Sequence, residues 1–328
     1  MKKLAYKSLL AFASLTLALS SCQEEELKPY VFQTDPKEMT DFELWLDENY
    51  RKPYNIEFKY QMEDIESDYD YNLVPSSEDK ARKIAYIAKH LWFGVYDEIV
   101  NDKDFMKKYA PRIIHLVGSP ALNPSTGTMI LGTAEGGLKI TLYYINNLEQ
   151  DNVDNLNTYY FKTMHHEFAH ILHQTKTYPQ EFNLISATDY QRDEWQYATE
   201  VEANSAGFVS PYARSENRED FVEVLANFLT KTPEQWEKVL ENARVVLSKP
   251  VQERDDDGNI TIVYKDDGID GEAVILQKFE IVKNWLRDAW NIDIYAMRDR
   301  IIEVEKEVPT WDIDALIQKD LENIRNQK

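Results

Sequence analysis

Cysteine is almost absent from this chain: Cys22 is the only one among 328 residues. No intrachain disulfide can form, and a cysteine-rich metal site is excluded. Positive charge is also scarce, with 37 Lys and Arg against 58 Asp and Glu, a formal net charge of −21. Such a balance cannot neutralise phosphates, so nucleic acid is excluded as a partner. Docking on anionic lipid through basic patches is excluded on the same ground. Long apolar runs are missing too. The one strongly apolar stretch, residues 9–19, is too short to cross a bilayer as a helix. Neither an internal repeat nor a low-complexity block interrupts the sequence.

What the N-terminus does contain reads as an export signal. Lys2, Lys3 and Lys7 precede the apolar run, which ends in Leu19-Ser20-Ser21-Cys22. That ending resembles a bacterial lipobox, in which the cysteine is lipidated and becomes the new N-terminus. Each buried methylene of such an anchor contributes about 0.8 kcal/mol, so several chains hold a folded domain on a membrane. Loss of the three leader lysines leaves 34 basic against 58 acidic residues, a net charge of −24. Gln23-Glu24-Glu25-Glu26 then forms an acidic tether, similar to the surface-export signals of some outer-membrane lipoproteins.

Patterning predicts helices over residues 40–50 and 77–100, with a strand around Ile56, Phe58 and Tyr60 between them. Residues 113–117 read as a buried strand. Residues 129–133 and 138–144 read as a hairpin around Ala134-Glu135-Gly136-Gly137. A long helix is expected over residues 155–175. Beyond Pro179 the pattern is mostly helical, over residues 194–208, 217–230, 233–247 and 271–290, and again after Trp311. Asp255-Asp256-Asp257-Gly258 suggests a calcium loop, but the twelfth position counted from Glu253 is Tyr264, where a bidentate glutamate is required. An exposed hairpin tip explains that segment better.

The chemistry lies in Thr163-Met164-His165-His166-Glu167-Phe168-Ala169-His170, an H-E-x-x-H pattern. On a helix, His166 and His170 share one face and can aim two imidazoles at one ion, with Glu167 beside them as a base. A catalytic zinc site needs a third protein ligand and an open fourth position. His173 points past such an ion, since no glycine bends the chain after His170; it fits better as a wall, a support for a ligand or a satisfied core histidine. His165 faces away around the helix, and His90 and His115 read as structural. Glu200 and Glu202 do not match the spacing of thermolysin-like enzymes. Glu219 and Glu223, four apart on a predicted helix, face the same way; one can bind the metal while the other holds a ligand histidine.

The block from Tyr212 to Glu223, following H-E-F-A-H, resembles the catalytic block of anthrax-type lethal factor metalloproteases. That resemblance implies Glu219 as third zinc ligand, Glu223 as the support of a ligand, and Tyr212 as a donor to the oxyanion. Over its whole length, lipobox included, the chain resembles the zinc-binding metallopeptidase lipoproteins known as substrate-import-associated zinc metallohydrolases. This implies a zinc peptidase with a peptide or protein substrate, lipid-anchored at Cys22 in the outer membrane. It would be exposed at the cell surface or facing the periplasm, beside a TonB-dependent nutrient-import complex. The implied fold is α+β and zincin-like, with a small twisted mixed sheet over the active-site helix and a mostly helical C-terminal half. An antiparallel edge strand there borders the cleft, and residues 129–133 are the candidate. The expected division is a leader over residues 1–21, a tether over 22–35, a catalytic domain over 36–250, and a hairpin with helical extension over 251–328. A different class of function, a non-catalytic binding lipoprotein with a structural or vestigial zinc site, shares every feature except the need for Glu167 as a base.

Overall fold

The computed structural model describes residues 38–62, 71–124, 127–135, 137–254 and 260–327. The leader, Cys22, the acidic tether and the Asp255–Gly258 tip lie outside the described residues. The first described helical segment starts at Thr40, whose side chain and that of Glu43 form a reciprocal capping box. It runs through Asp41–Leu46, a π-helical turn at Asp47–Arg51, and Lys52–Tyr54. Phe42, Trp45 and Tyr50 bury one face of it.

Four strands make a mixed sheet: β1 (Glu57–Lys59), β2 (Ile113–Leu116), β6 (Lys139–Leu142) and β5 (Gly132–Glu135), in that spatial order. β1, β2 and β6 are parallel, and β5 pairs antiparallel to β6 at the end of the sheet. Phe58, Ile114 and Ile140 lie in one register row and are all buried. Parallel neighbours need a long crossover. Between β1 and β2 the chain supplies the helix Glu78–Ala88, capped by Ser77, and its continuation to Ile99.

The expected strand over residues 129–133 is divided in two. β4 (Met129–Ile130) pairs antiparallel with β3 (Ala121–Leu122), whereas β5 starts at Gly132 and pairs with β6. The change of partner occurs at Leu131, whose carbonyl accepts the Tyr143 amide at 3.1 Å. Gly132 has a steric reason to be there. A Cβ at this position would come within 2.2 Å of the Thr163 methyl and 2.9 Å of the Thr141 carbonyl oxygen. Its absence lets the end strand rest directly on the helix that carries the histidines.

That helix begins earlier than the pattern predicts. Asn152 caps Val153–Leu156, a π-helical turn follows at Asn157–Phe161, and the α-helix continues over Lys162–Thr175. Leu156, Tyr160, Met164, Phe168 and Leu172 recur at helical spacing and are buried.

The second half is helical, with three departures from expectation. The helix expected over residues 194–208 is a 3₁₀ segment, Arg192–Tyr197, followed by a separate helix, Glu200–Ser205. A capping box between Thr199 and Glu202 starts the second one afresh. The helix from Pro233 ends at Ala243 rather than at 247. A helix over Ile294–Glu307 was not anticipated. Asn291 in the left-handed conformation ends Gly271–Trp290, and Asp293 caps the new helix. The helices Asn217–Thr230 and Ile313–Asn326 fall where the pattern places them. β7 (Ser248–Arg254) and β8 (Ile260–Asp266) form the flanks of the expected hairpin. No helix of the described residues is long and apolar enough to cross a membrane.

Candidate metal centre

Two helices create the site by packing side by side, Lys162–Thr175 and Asn217–Thr230. One turn of the first separates His166 from His170, so both imidazoles emerge on the face turned to the second. Glu219 comes from the first turn of the second helix, and its Oε2 lies 3.0 Å from His166 Nε2 and 3.3 Å from His170 Nε2. The two Nε2 atoms are 3.2 Å apart. Ligands at 2.0–2.1 Å from a tetrahedral zinc are separated by about 3.3 Å, so this triangle has the dimensions of a zinc donor set. Among the described residues, these three form the group of His, Cys, Asp and Glu placed to hold one ion.

The donor atoms point inward because the opposite ring nitrogens are held. His166 Nδ1 donates to Glu223 Oε1 at 3.0 Å. His170 Nδ1 lies 3.0 Å from His173 Nε2. Burial, helped by the neighbouring His170, lowers the His173 pKa to about 4, so its ring is neutral and accepts that proton. Each ligand histidine is therefore oriented with its Nε2 turned to the centre, the arrangement metal-bound histidines normally have.

Glu223 is fully buried, yet its carboxylate is satisfied on every side. Oε2 accepts from Ser210 Oγ, from Asn227 Nδ2 at 3.1 Å, and faces Lys162 Nζ at 3.0 Å. Burial alone raises a carboxyl pKa, but Lys162, His166 and Ser210 reverse this and hold Glu223 ionised well below the ordinary range. Glu219 is likewise depressed, because its contacts with His166 and His170 outweigh its burial. For His166, burial opposes the charged form, but Glu219 and Glu223 prevail and push its pKa up to about 10.

Glu167 borders the cleft beside the three donors. Its burial raises its pKa above the usual carboxyl value, partly offset by His166 and His170. Such a shift moves a carboxylate towards the range where it exchanges protons near neutral pH. Tyr212 stands across the cleft with its ring 5.8 Å from that of His166. Burial and the charges of Glu219, Glu223 and Glu167 raise its pKa and keep the hydroxyl protonated. Trp195 braces Tyr212 edge-on at 4.9 Å.

All the singled-out site residues of the two helices, together with Tyr212, thus lie at one place. Glu202 is engaged in its helix cap, and His165 turns to the core, where its Nδ1 lies 3.2 Å from the Tyr96 hydroxyl. Cys22 lies outside the described residues. Sequence reading missed Lys162, Ser210, Asn227 and Trp195. Two of these had a signal: Lys162 precedes His166 by one turn, and Asn227 follows Glu223 by one turn.

Residues 35–295 match the family described as "Putative zinc-binding metallo-peptidase". A crystal structure carrying the same description, from Bacteroides caccae ATCC 43185, is 44% identical to this chain. The match covers 84% of this chain and 95% of that one, with a TM-score of 0.67. No curated protein matches.

Proposed function

The chain belongs to this zinc-binding metallo-peptidase family, and from that premise we propose that it hydrolyses peptide bonds at the centre formed by His166, His170 and Glu219. The observation that carries the reading is the convergence of two imidazole nitrogens and one carboxylate oxygen beside a partly buried glutamate. The donor set, two nitrogens and an oxygen, suits zinc and leaves a fourth position for water or substrate. Zinc bound there supplies a Lewis acid that lowers the pKa of water to about 7 and polarises a carbonyl.

The protein's own groups do the rest. Glu167 accepts the proton of the attacking water and hands it to the departing amine. Tyr212 donates to the oxygen that gains negative charge, and Trp195 holds the phenol in place. Glu223 and His173 fix the two ligand rings. The same arrangement, a small mixed sheet resting by its end strand on the histidine helix, supports a zincin-like assignment of the fold. Anchorage at Cys22 and an outer-membrane location, supported by the lipobox-like ending and the acidic tether, complete the proposal; service to a nutrient-import complex rests on the resemblance to import-associated metallohydrolase lipoproteins alone.

A library of peptides incubated with the wild-type protein and with Glu167→Gln tests the reaction. Wild type is expected to cut, and Glu167→Gln to be slower by roughly 10³-fold with zinc still bound. Equal turnover in the two proteins overturns the enzymatic reading and leaves a binding lipoprotein.

A further inference from the structure

A second cavity, about 800 Å³, lies behind one wall of the metal cleft. The 3₁₀ segment Arg192–Tyr197 separates the two spaces. Asp193 and Trp195 border the cleft, whereas Glu194 and Tyr197 border the second cavity. The turn Tyr212–Arg214 divides in the same way, with Tyr212 on the cleft and Arg214 on the far side. The Gln191 amide donates to the Arg214 carbonyl at 2.7 Å and ties the two pieces together. His166, His170 and Glu219 do not line this cavity.

Arg214 is half-buried, with its guanidinium carbon 5.8 Å from the centre of the Phe208 ring. Burial works against its charge, while Glu202 and Asp189 favour it. Yet its buried Nε has no hydrogen-bond partner, and among the described residues neither carboxylate forms an ion pair with it. A cation partly withdrawn from water thus borders the cavity with donors to spare.

The remaining wall groups narrow what can fill that need. Among the described residues, the side chains placed to hold a metal ion are those of the cleft, not of this cavity. An anion pairs with Arg214 but meets the carboxylates of Asp189, Glu194, Glu202 and Asp267. A cation suits those carboxylates but leaves the Arg214 donors unfilled and meets Lys249 as well. A hydroxyl serves both kinds of group: its oxygen accepts from a guanidinium and its proton goes to a carboxylate. Tyr197 adds a flat apolar face, since its side chain is 81% exposed, and the C–H face of a sugar ring can stack on it. We propose that this cavity binds a neutral oligosaccharide through Arg214, the carboxylates of Asp189 and Glu194, and the Tyr197 ring. The site is separate from the metal centre and stands whether or not the chain cuts peptides.

Fluorescently labelled protein applied to a printed array of neutral, sialylated and sulfated glycans tests it. The neutral glycan bound best is then titrated by calorimetry. Neutral glycans are expected to bind and charged ones are not. Arg214→Ala is expected to weaken binding about 10- to 100-fold, and Tyr197→Ala, at an exposed ring, about 10-fold with the fold intact. Folded Glu219→Ala is expected to bind the glycan as tightly as wild type. Absence of any neutral glycan among those bound, equal or stronger binding of charged glycans, or unchanged affinity in either cavity variant overturns the proposal. If Arg214→Ala does not fold, Tyr197→Ala decides alone. Loss of binding in folded Glu219→Ala also overturns it, by placing the glycan at the metal cleft.

Discussion

Glu219 and Asp220 are adjacent on one helix, yet the structure uses them in opposite ways. A turn of about 100° between successive residues sends Glu219 to the cleft and Asp220 into the interior. Asp220 is fully buried with its carboxylate 2.7 Å from Lys278 Nζ, and it accepts the Tyr190 hydroxyl at 2.9 Å. Lys278 also donates to the Gly207 carbonyl at 2.8 Å and stands 3.8 Å from the centre of the Phe208 ring. Burial pushes the Asp220 pKa up and the Lys278 pKa down, and each group tempers the other. This pair is closed: cation and anion face each other, and both side chains are wholly buried. At Glu219 the partners are two imidazole nitrogens, and the cleft opens on the point where all three donors meet. Buried charge by itself therefore marks no reactive centre; what distinguishes one is convergence of metal-ligating side chains at an accessible point.

The closed pair gives the largest expected effect. Lys278→Met strands the Asp220 carboxylate and is expected to cost about 3–5 kcal/mol of stability, read from urea unfolding. Zinc affinity should stay within about twofold, and adding Asp220→Leu should recover much of the loss. A large fall in zinc affinity in the folded single variant breaks the separation between the two faces of the helix.

On the open face, Tyr212→Phe removes one donor without changing the shape of the ring. Turnover is expected to fall about 10²-fold with little change in KM, measured by steady-state kinetics on any peptide that is cut. Glu223→Gln keeps the volume but removes the charge that holds His166. A loss of zinc affinity of about 10- to 100-fold is expected from competition with a chromogenic chelator. Unchanged affinity reduces Glu223 to a packing role.

The helical face that carries His166 and His170 was legible, because ligands four residues apart need only a helix. Glu219 and Glu223 were legible for the same reason, as a pair of carboxylates one turn apart. Their division of labour was not deducible from spacing, since it depends on which carboxylate reaches the cleft and which meets His166 Nδ1. The cage around Glu223 draws on Asn227, one turn along its own helix, and on Ser210 and Lys162, which tertiary packing brings from two other segments. The division of the predicted edge strand at Leu131 was hidden because both halves are equally extended; the change of partner depends on where Gly132 meets Thr163. Ile294–Glu307 escaped notice because the end of one helix and the start of the next, Asn291 and Asp293, are only two residues apart.

The central claim is that His166, His170 and Glu219 together hold one zinc ion. Elemental analysis and zinc-affinity titration of wild type, Glu219→Ala and the neighbouring Asp220→Asn address it directly. The account predicts one zinc per wild-type chain, a sharp loss of affinity in Glu219→Ala, and near-wild-type affinity in folded Asp220→Asn. A Glu219→Ala protein that binds zinc as tightly as wild type contradicts it.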